Sequence, residues 1–355
     1  VKAGIIGLPY SGKSTLFQLL TGAAPSTKPE ARSGIASVPD ARLTALAELF
    51  HPRKTTPAVV EYVDLPGVSP GQSASLVDLP ALRGIDALVH VVRAFDAETV
   101  PHPEGSVDPL RDARLLELEL ILADLGLAER RVLRLESSIK KTRRPEEVAE
   151  KELLQRLKQA LEAELPLREL RLSAEETNRL QGYALLSVKP VVVVVNLGED
   201  EIRDAPQRLH AMGLDALAVR PGQALCPVSA PIEAELRELA PEDARTFREH
   251  MGLREPGLER VVQASYQLLG LISFLTVGED ECRAWTIRRQ TRAQRAAAAV
   301  HSDIERGFIR AEVVSASDLL AQGSLSACRE RGLLRLEGKD YEVQDGDVIN
   351  FRFNV

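Results

Sequence analysis

The chain has 355 residues, 44% of them hydrophobic, and a formal net charge of −7 at pH 7. That length calls for two or three domains, and the ordinary apolar content excludes wholesale disorder. The acidic balance argues against unspecific affinity for nucleic acid while leaving room for a local basic patch, and no apolar run nears the roughly 20 residues that cross a bilayer.

From the N-terminal side, residues 3–6 are a short run with two isoleucines that fits a buried strand. Gly7-Leu8-Pro9-Tyr10-Ser11-Gly12-Lys13-Ser14 follows with G-x-x-x-x-G-K-S spacing, and Thr15-Leu16-Phe17-Gln18-Leu19-Leu20 carries apolar residues at helical spacing. Strand, glycine loop and helix together make a phosphate site. Glycines let backbone N–H groups turn onto phosphate oxygens without Cβ clashes, and the helix N-terminus adds partial positive charge there. Lys13 is expected to reach the β- and γ-phosphates and Ser14 to give its hydroxyl to Mg²⁺. Gly7, Pro9, Tyr10, Ser11, Gly12 and Thr15 complete the expected phosphate-binding set.

The stretch after this helix is polar and contains prolines, and reads as an exposed connection to a strand at 33–38 and a helix at 41–50. A second clear strand, 59–63, ends in Asp64-Leu65-Pro66-Gly67. In a P-loop fold that aspartate sits beside the magnesium, directly or through water, and the glycine N–H meets the γ-phosphate. Lys13, Asp64 and Gly67 are thus the expected catalytic positions. Residues 86–92 and 190–195 read as further buried strands, the latter with five consecutive valines, which suits a parallel sheet covered on both faces. Asn196-Leu197-Gly198-Glu199 closes the last of them, where a purine-reading element belongs. Residues 224–230 read as another strand, ending in Ser229 and Ala230, whose backbone is expected at the base.

Between these strands, 108–187 reads as helical, with leucines at spacings of three and four over 110–135 and again over 146–165. Thr142-Arg143-Arg144-Pro145 marks the turn of an α-helical coiled-coil hairpin. A projecting arm is favoured over a pair of core helices because both helices are long and highly charged. The basic tip, Lys140 to Arg144, reads either as a phosphate-backbone contact or as a solvated turn. Helical patterning continues over 232–269. From 275 onward short strands (283–287, 308–314, 341–343 and 348–354) alternate with short helices, giving a compact α+β domain. The expected organisation is an α/β P-loop G domain over 1–107 and 188–274, the helical insertion over 108–187 and the α+β domain over 275–355. Cys226, Cys282 and Cys328 are odd in number and far apart, which suits a reducing compartment. With no signal-peptide pattern at the start, a cytoplasmic protein is expected. The six histidines show no metal-ligand spacing, and His90 reads as a packed core residue.

Taken together these residues resemble the Obg-like ATPase (YchF) family of translation-factor-related P-loop NTPases. The likeness runs through the P-loop, Val38-Pro39-Asp40-x-Arg42-Leu43, Asp64-x-x-Gly67, His90-Val91-Val92-Arg93-x-Phe95 and the 118–125 segment. It continues through Lys189-Pro190, Asn196-x-x-Glu199, Glu255-Pro256-Gly257-Leu258, Arg283-Ala284-Trp285-Thr286, and the closing Gly338-Lys339-Asp340-Tyr341 and 345–355. The resemblance implies that the last domain is a TGS domain. It also implies ATP binding, association with the ribosome or its RNA, and a role in translation or stress control. No membrane partner, DNA sequence recognition or obligate oligomer is expected.

Guanine-specific relatives use the aspartate of N-K-x-D to accept from the two guanine donors. Here Glu199 stands for that aspartate and Leu197 for the lysine, and losing a buried polar match costs orders of magnitude in discrimination. Leu197 and Phe95 are expected to offer adenine apolar surface and Asn196 to bond its edge, so ATP is favoured, with GTP as an alternative substrate. Three departures from the family concern hydrolysis. Tyr10 stands where the family has an asparagine associated with monovalent cations. The switch I threonine aligns at Lys28, leaving Thr27 as metal ligand only by a one-residue shift. Gly71-Gln72-Ser73-Ala74-Ser75 replaces a glycine-rich stretch. Position 68 is Val68, the apolar type usual in the family. The reading is a divergent paralogue, a slow or partner-dependent ATPase, with a hydrolysis-deficient binding module and a GTPase as alternatives.

Overall fold

The structure is a computed structural model that describes residues 1–25, 31–65, 79–97, 99–142 and 144–354. Its strands are β1 (Lys2–Ile6), β2 (Arg32–Ser37), β3 (Lys54–Thr56), β4 (Val59–Asp64), β5 (Ala87–Arg93), β6 (Val191–Asn196), β7 (Gln223–Val228), β8 (Leu271–Thr276), β9 (Glu281–Arg288), β10 (Phe308–Ser315), β11 (Arg335–Glu337) and β12 (Asp347–Phe353). The first helices are α1 (Lys13–Thr21), α2 (Ala41–Phe50), α3 (Leu79–Leu82), α4 (Pro109–Thr142) and α5 (Pro145–Glu162). The chain forms two compact units, Val1–Ile35 with Glu61–Leu268, and Ala36–Val60 with Leu269–Val355.

The first unit is built on a six-stranded sheet of order β2-β4-β1-β5-β6-β7. β1 runs parallel to β4 and β5, and β6 parallel to β5 and β7. Every residue of β5 and β6 is buried: the five valines of β6 leave no polar face to turn to water, and β5 takes His90 and Arg93 inside together with its apolar residues. Register sets Ile5 beside Asp64 and Arg93 beside Asn196. The carboxyl ends of β4, β1, β5 and β6 therefore line up along one edge of the sheet, the edge where open α/β sheets bind ligands.

α4 serves two cores. Ala113, Leu116 and Leu120 pack with Leu88, Val92 and Val193 of the sheet. Further along the helix, Ile121, Val132 and Leu135 pack with Leu153, Leu154, Leu157 and Leu161 of α5. The hairpin expected from the leucine spacing is present, but its first turns are core helix. Buried Asp124 pins the midpoint by accepting from the amides of Leu186 (2.9 Å) and Ser187 (2.8 Å) and from Ser187 Oγ (2.7 Å). Two long helical expectations need correction. Beyond Glu162 the insertion continues as 3-10 turns at Leu167–Glu169 and Gln181–Tyr183 flanking one short helix, Ala174–Leu180, which opens on a Ser173–Glu176 capping box. The 232–269 region breaks into Ala230–Glu238, Pro241–His250 and Gly257–Leu268, with prolines at both breaks, at 241 and 256.

The second unit carries a mixed six-stranded sheet of order β11-β10-β12-β8-β9-β3. Phe274 is its hub, stacked on Trp285 at 6.4 Å and edge-on to Phe351 at 5.7 Å. Residues 36–60, which chain order alone assigns to the first domain, supply α2 and the edge strand β3, paired parallel to β9. Arg42 fixes this segment: its guanidinium bonds Asp40 (2.8 Å) and Asp345 (3.0 Å). The expected strand at 341–343 is absent. Tyr341 Oη and the Gln344 amide both donate to Asp347 Oδ2 at 2.8 Å, and only an isolated bridge, Arg292 to Glu342, remains of a ladder.

Candidate functional site

The loop between β1 and α1 has the shape its glycines impose. Gly7 and Gly12 adopt φ of 150° and 98°. A Cβ on Gly7 would lie 2.3 Å from the Val91 carbonyl oxygen, and one on Gly12 would lie 2.4 Å from Asn196 Nδ2. Both positions require glycine. Tyr10 also has a positive φ, 63°, and its side chain is exposed; a left-handed tyrosine is an uncommon, strained residue. α1 begins at Lys13 with no side-chain cap and no acidic residue in its first turn. Its leading amides and positive dipole end are left to a ligand. Ser14 and Thr15 are exposed at this end, Pro9 is half-buried, and Ser11 is buried with its hydroxyl unpartnered.

Lys13 is buried and folds back over its own loop, donating to the Gly7 and Leu8 carbonyls at 2.8 Å each. Burial pulls its ammonium down to about 8, with the Asp64 carboxylate opposing that shift. Asp64, buried at the end of β4, accepts from Arg32 Nη2 at 3.2 Å. Nothing in the sequence points to Arg32: it lies outside every phosphate motif, and only the pairing of β2 with β4 brings it to the carboxylate.

Asn196 ties two loops together. Its Nδ2 donates to the Ser11 carbonyl (3.1 Å) and its Oδ1 accepts from the Ala230 amide (3.2 Å). Ser229, beside it, is buried with an unpartnered hydroxyl. Glu199 is exposed on the turn after β6. Leu197 is fully buried in the core with Val195, Ile202 and Ala205, so its side chain packs inward instead of lying open to a base. Phe95 is half-buried under the Arg93 guanidinium, 4.7 Å from its ring centroid. Arg93 is itself buried and donates to the Phe95 and Val100 carbonyls at 3.1 Å each. His90 is buried on β5, and burial, with the charges of Lys13 and Arg168, pulls its pKa down to about 3, so the ring is neutral. The structure therefore gathers Gly7, Ser11, Gly12, Lys13, Asp64 and Asn196 at one edge of the sheet. Thr27, Lys28, Gly67, Val68, the 71–75 stretch and Arg143 lie outside the described residues. Among the described residues no group of three or more His, Cys, Asp or Glu side chains could hold a metal ion by itself.

A parallel sheet whose first strand turns through this glycine loop into an uncapped helix defines a P-loop nucleoside-triphosphate-binding protein. Residues 2–122 match a family model described as 50S ribosome-binding GTPase, and residues 271–354 match the YchF-GTPase_C model, described as a protein of unknown function. The chain is 42% identical to the ribosome-binding ATPase YchF of Bacillus subtilis over 363 residues, covering 99% of each. It is 39% identical to the protein of that name from Haemophilus ducreyi, covering 100% of this chain and 99% of the other. The solved YchF GTPase of Schizosaccharomyces pombe superposes with a TM-score of 0.88 at 29% identity, covering 99% of this chain and 97% of that one. The chain belongs to the YchF family.

Proposed function

We propose that this protein is a ribosome-associated nucleotide switch that binds ATP with Mg²⁺ at the Gly7–Ser14 loop and hydrolyses it slowly. The observation that carries the reading is the uncapped start of α1, whose first residue, Lys13, is buried within reach of the Asp64 charge. The unpartnered buried hydroxyls of Ser11 and Ser229 support a polar ligand there. Ser14 and Asp64 offer the hydroxyl and carboxylate oxygens that Mg²⁺ prefers. When bound, that ion supplies neutralisation of phosphate charge. Lys13 then exchanges two loop carbonyls for phosphate oxygens, and Asn196 holds the phosphate and base loops in register. Glu199 supports ATP over GTP, with Phe95 and the Ser229–Ala230 backbone as further base contacts. Association with the ribosome is proposed from the names that the relatives carry. Such a partner fits a cytoplasmic protein; among the described residues no helix is long and apolar enough to cross a membrane. The 108–187 insertion and the TGS-like 275–355 region are proposed as the parts that meet it.

Calorimetric titration of nucleotide-free protein with ATP and GTP, each with Mg²⁺, followed by product release, tests the reading. Tighter ATP binding with slow ADP formation is the expected result. Lys13→Ala is expected to weaken binding by about tenfold to a hundredfold, the loss of one charge-assisted bond. Unchanged binding in that variant would remove the loop from the site.

A further inference from the structure

Arg32 is held at three points. Its Nη1 donates to the Ala24 carbonyl at 2.9 Å, its Nη2 bonds Asp64 Oδ2 at 3.2 Å, and its guanidinium lies 5.0 Å from the Phe17 ring centroid. The side chain is mostly buried, 21% exposed against 10% for that of Asp64. A guanidinium is always charged and weakly hydrated, which suits a partly buried carboxylate partner. These contacts join the segment after α1, the start of β2 and the end of β4. They also satisfy an oxygen of the one carboxylate that the proposed site offers to a divalent ion.

We infer that Arg32 is a built-in cation that competes with the divalent metal for Asp64. The inference rests on the nucleotide-binding reading above. One carboxylate oxygen cannot keep a guanidinium at hydrogen-bond distance and also face a hydrated divalent ion without charge repulsion between the two cations. A metal that engages Oδ2 therefore displaces the guanidinium from it, and with it the tie to Ala24 loosens. Metal-free nucleotide meets a site already partly neutralised by Lys13 and Arg32. The reset of the segment around Ala24 thus follows the metal instead of the nucleotide alone.

The test uses the full chain with ADP as nucleotide and Mn²⁺, observed by electron paramagnetic resonance, as metal. Arg32→Gln is expected to lower the Mn²⁺ midpoint of the ADP complex by about tenfold, the worth of one partly buried ion pair. Arg32→Lys, which keeps the charge but cannot bridge the same partners, is expected to fall between. In an Asp64→Asn background, Arg32→Gln is expected to leave the midpoint where it is. An unchanged midpoint in Arg32→Gln, with ADP still bound, overturns the inference, as does an equal shift in the Asp64→Asn background. If the unaltered protein binds no ADP with or without metal, the nucleotide reading itself fails and carries this inference with it.

Discussion

Lys13 gives the site its pH signature. Free, its ammonium sits near 8 because burial disfavours the charge. Phosphate oxygens favour the charged form, so its pKa must rise on binding. Above the free value, binding then takes up a proton, and affinity falls as pH rises through about 8; well below it, this residue contributes no pH dependence. Nucleotide titrations across roughly pH 7 to 9.5, in buffers of different ionisation enthalpy, should show both the fall and the proton uptake. Gly12 offers a second test. Gly12→Ala is expected to cost about 1–3 kcal/mol of stability, from the positive φ and the clash with Asn196, and to loosen nucleotide binding. Chemical denaturation and the same titration read the two effects separately. At this scale the sequence spoke clearly for Lys13, Asp64 and Asn196, because fixed motif spacing carries their geometry. It was silent on Arg32, whose role depends on which strands become neighbours, and it placed Leu197 at the base where the structure buries it in the core.

Among the elements, α4 shows how one helix acquires two environments. Its leucine spacing was legible, and so was the existence of a hairpin. The division of labour along its length was not, because the same i, i+3, i+4 pattern buries a face against a sheet or against a second helix equally well. Leu157 of α5 lies wholly within the hairpin core. Leu157→Ala is expected to destabilise it by about 2–5 kcal/mol. Hydrogen exchange should show the loss across α5 and the distal part of α4, with β5 and β6 spared. β3 and β11 went unread for another reason. Lys54-Thr55-Thr56 and Arg335-Leu336-Glu337 are three-residue, mostly polar strands, too short to carry a period. They exist because a neighbouring edge offers them hydrogen bonds.

At the scale of the whole molecule, the second unit is discontinuous in sequence. Leu269–Val355 lacks α2 and β3, which arrive from Ala36–Val60. Residues 269–355 expressed alone are therefore expected to unfold without a sharp transition, and adding a synthetic 36–60 peptide should restore one. Arg42→Ala, which removes the guanidinium shared by Asp40 and Asp345, should weaken that rescue. Chain order hid this arrangement, because residues 36–60 sit between two stretches that carry phosphate motifs.

The same arrangement sets a timetable for synthesis. A ribosome delivers β3 long before its partner: β9 follows roughly 200 residues later, about ten to forty seconds at ordinary elongation rates. Throughout that interval Leu43 and Leu46 of α2, both buried in the finished protein, have no completed second core to enter. Lys54, Thr55 and Thr56 present a charged and hydroxylated edge, a poor template for stray pairing. The first unit can close around its sheet while this loop of chain waits, and the second is finished only as the last strand, β12, emerges.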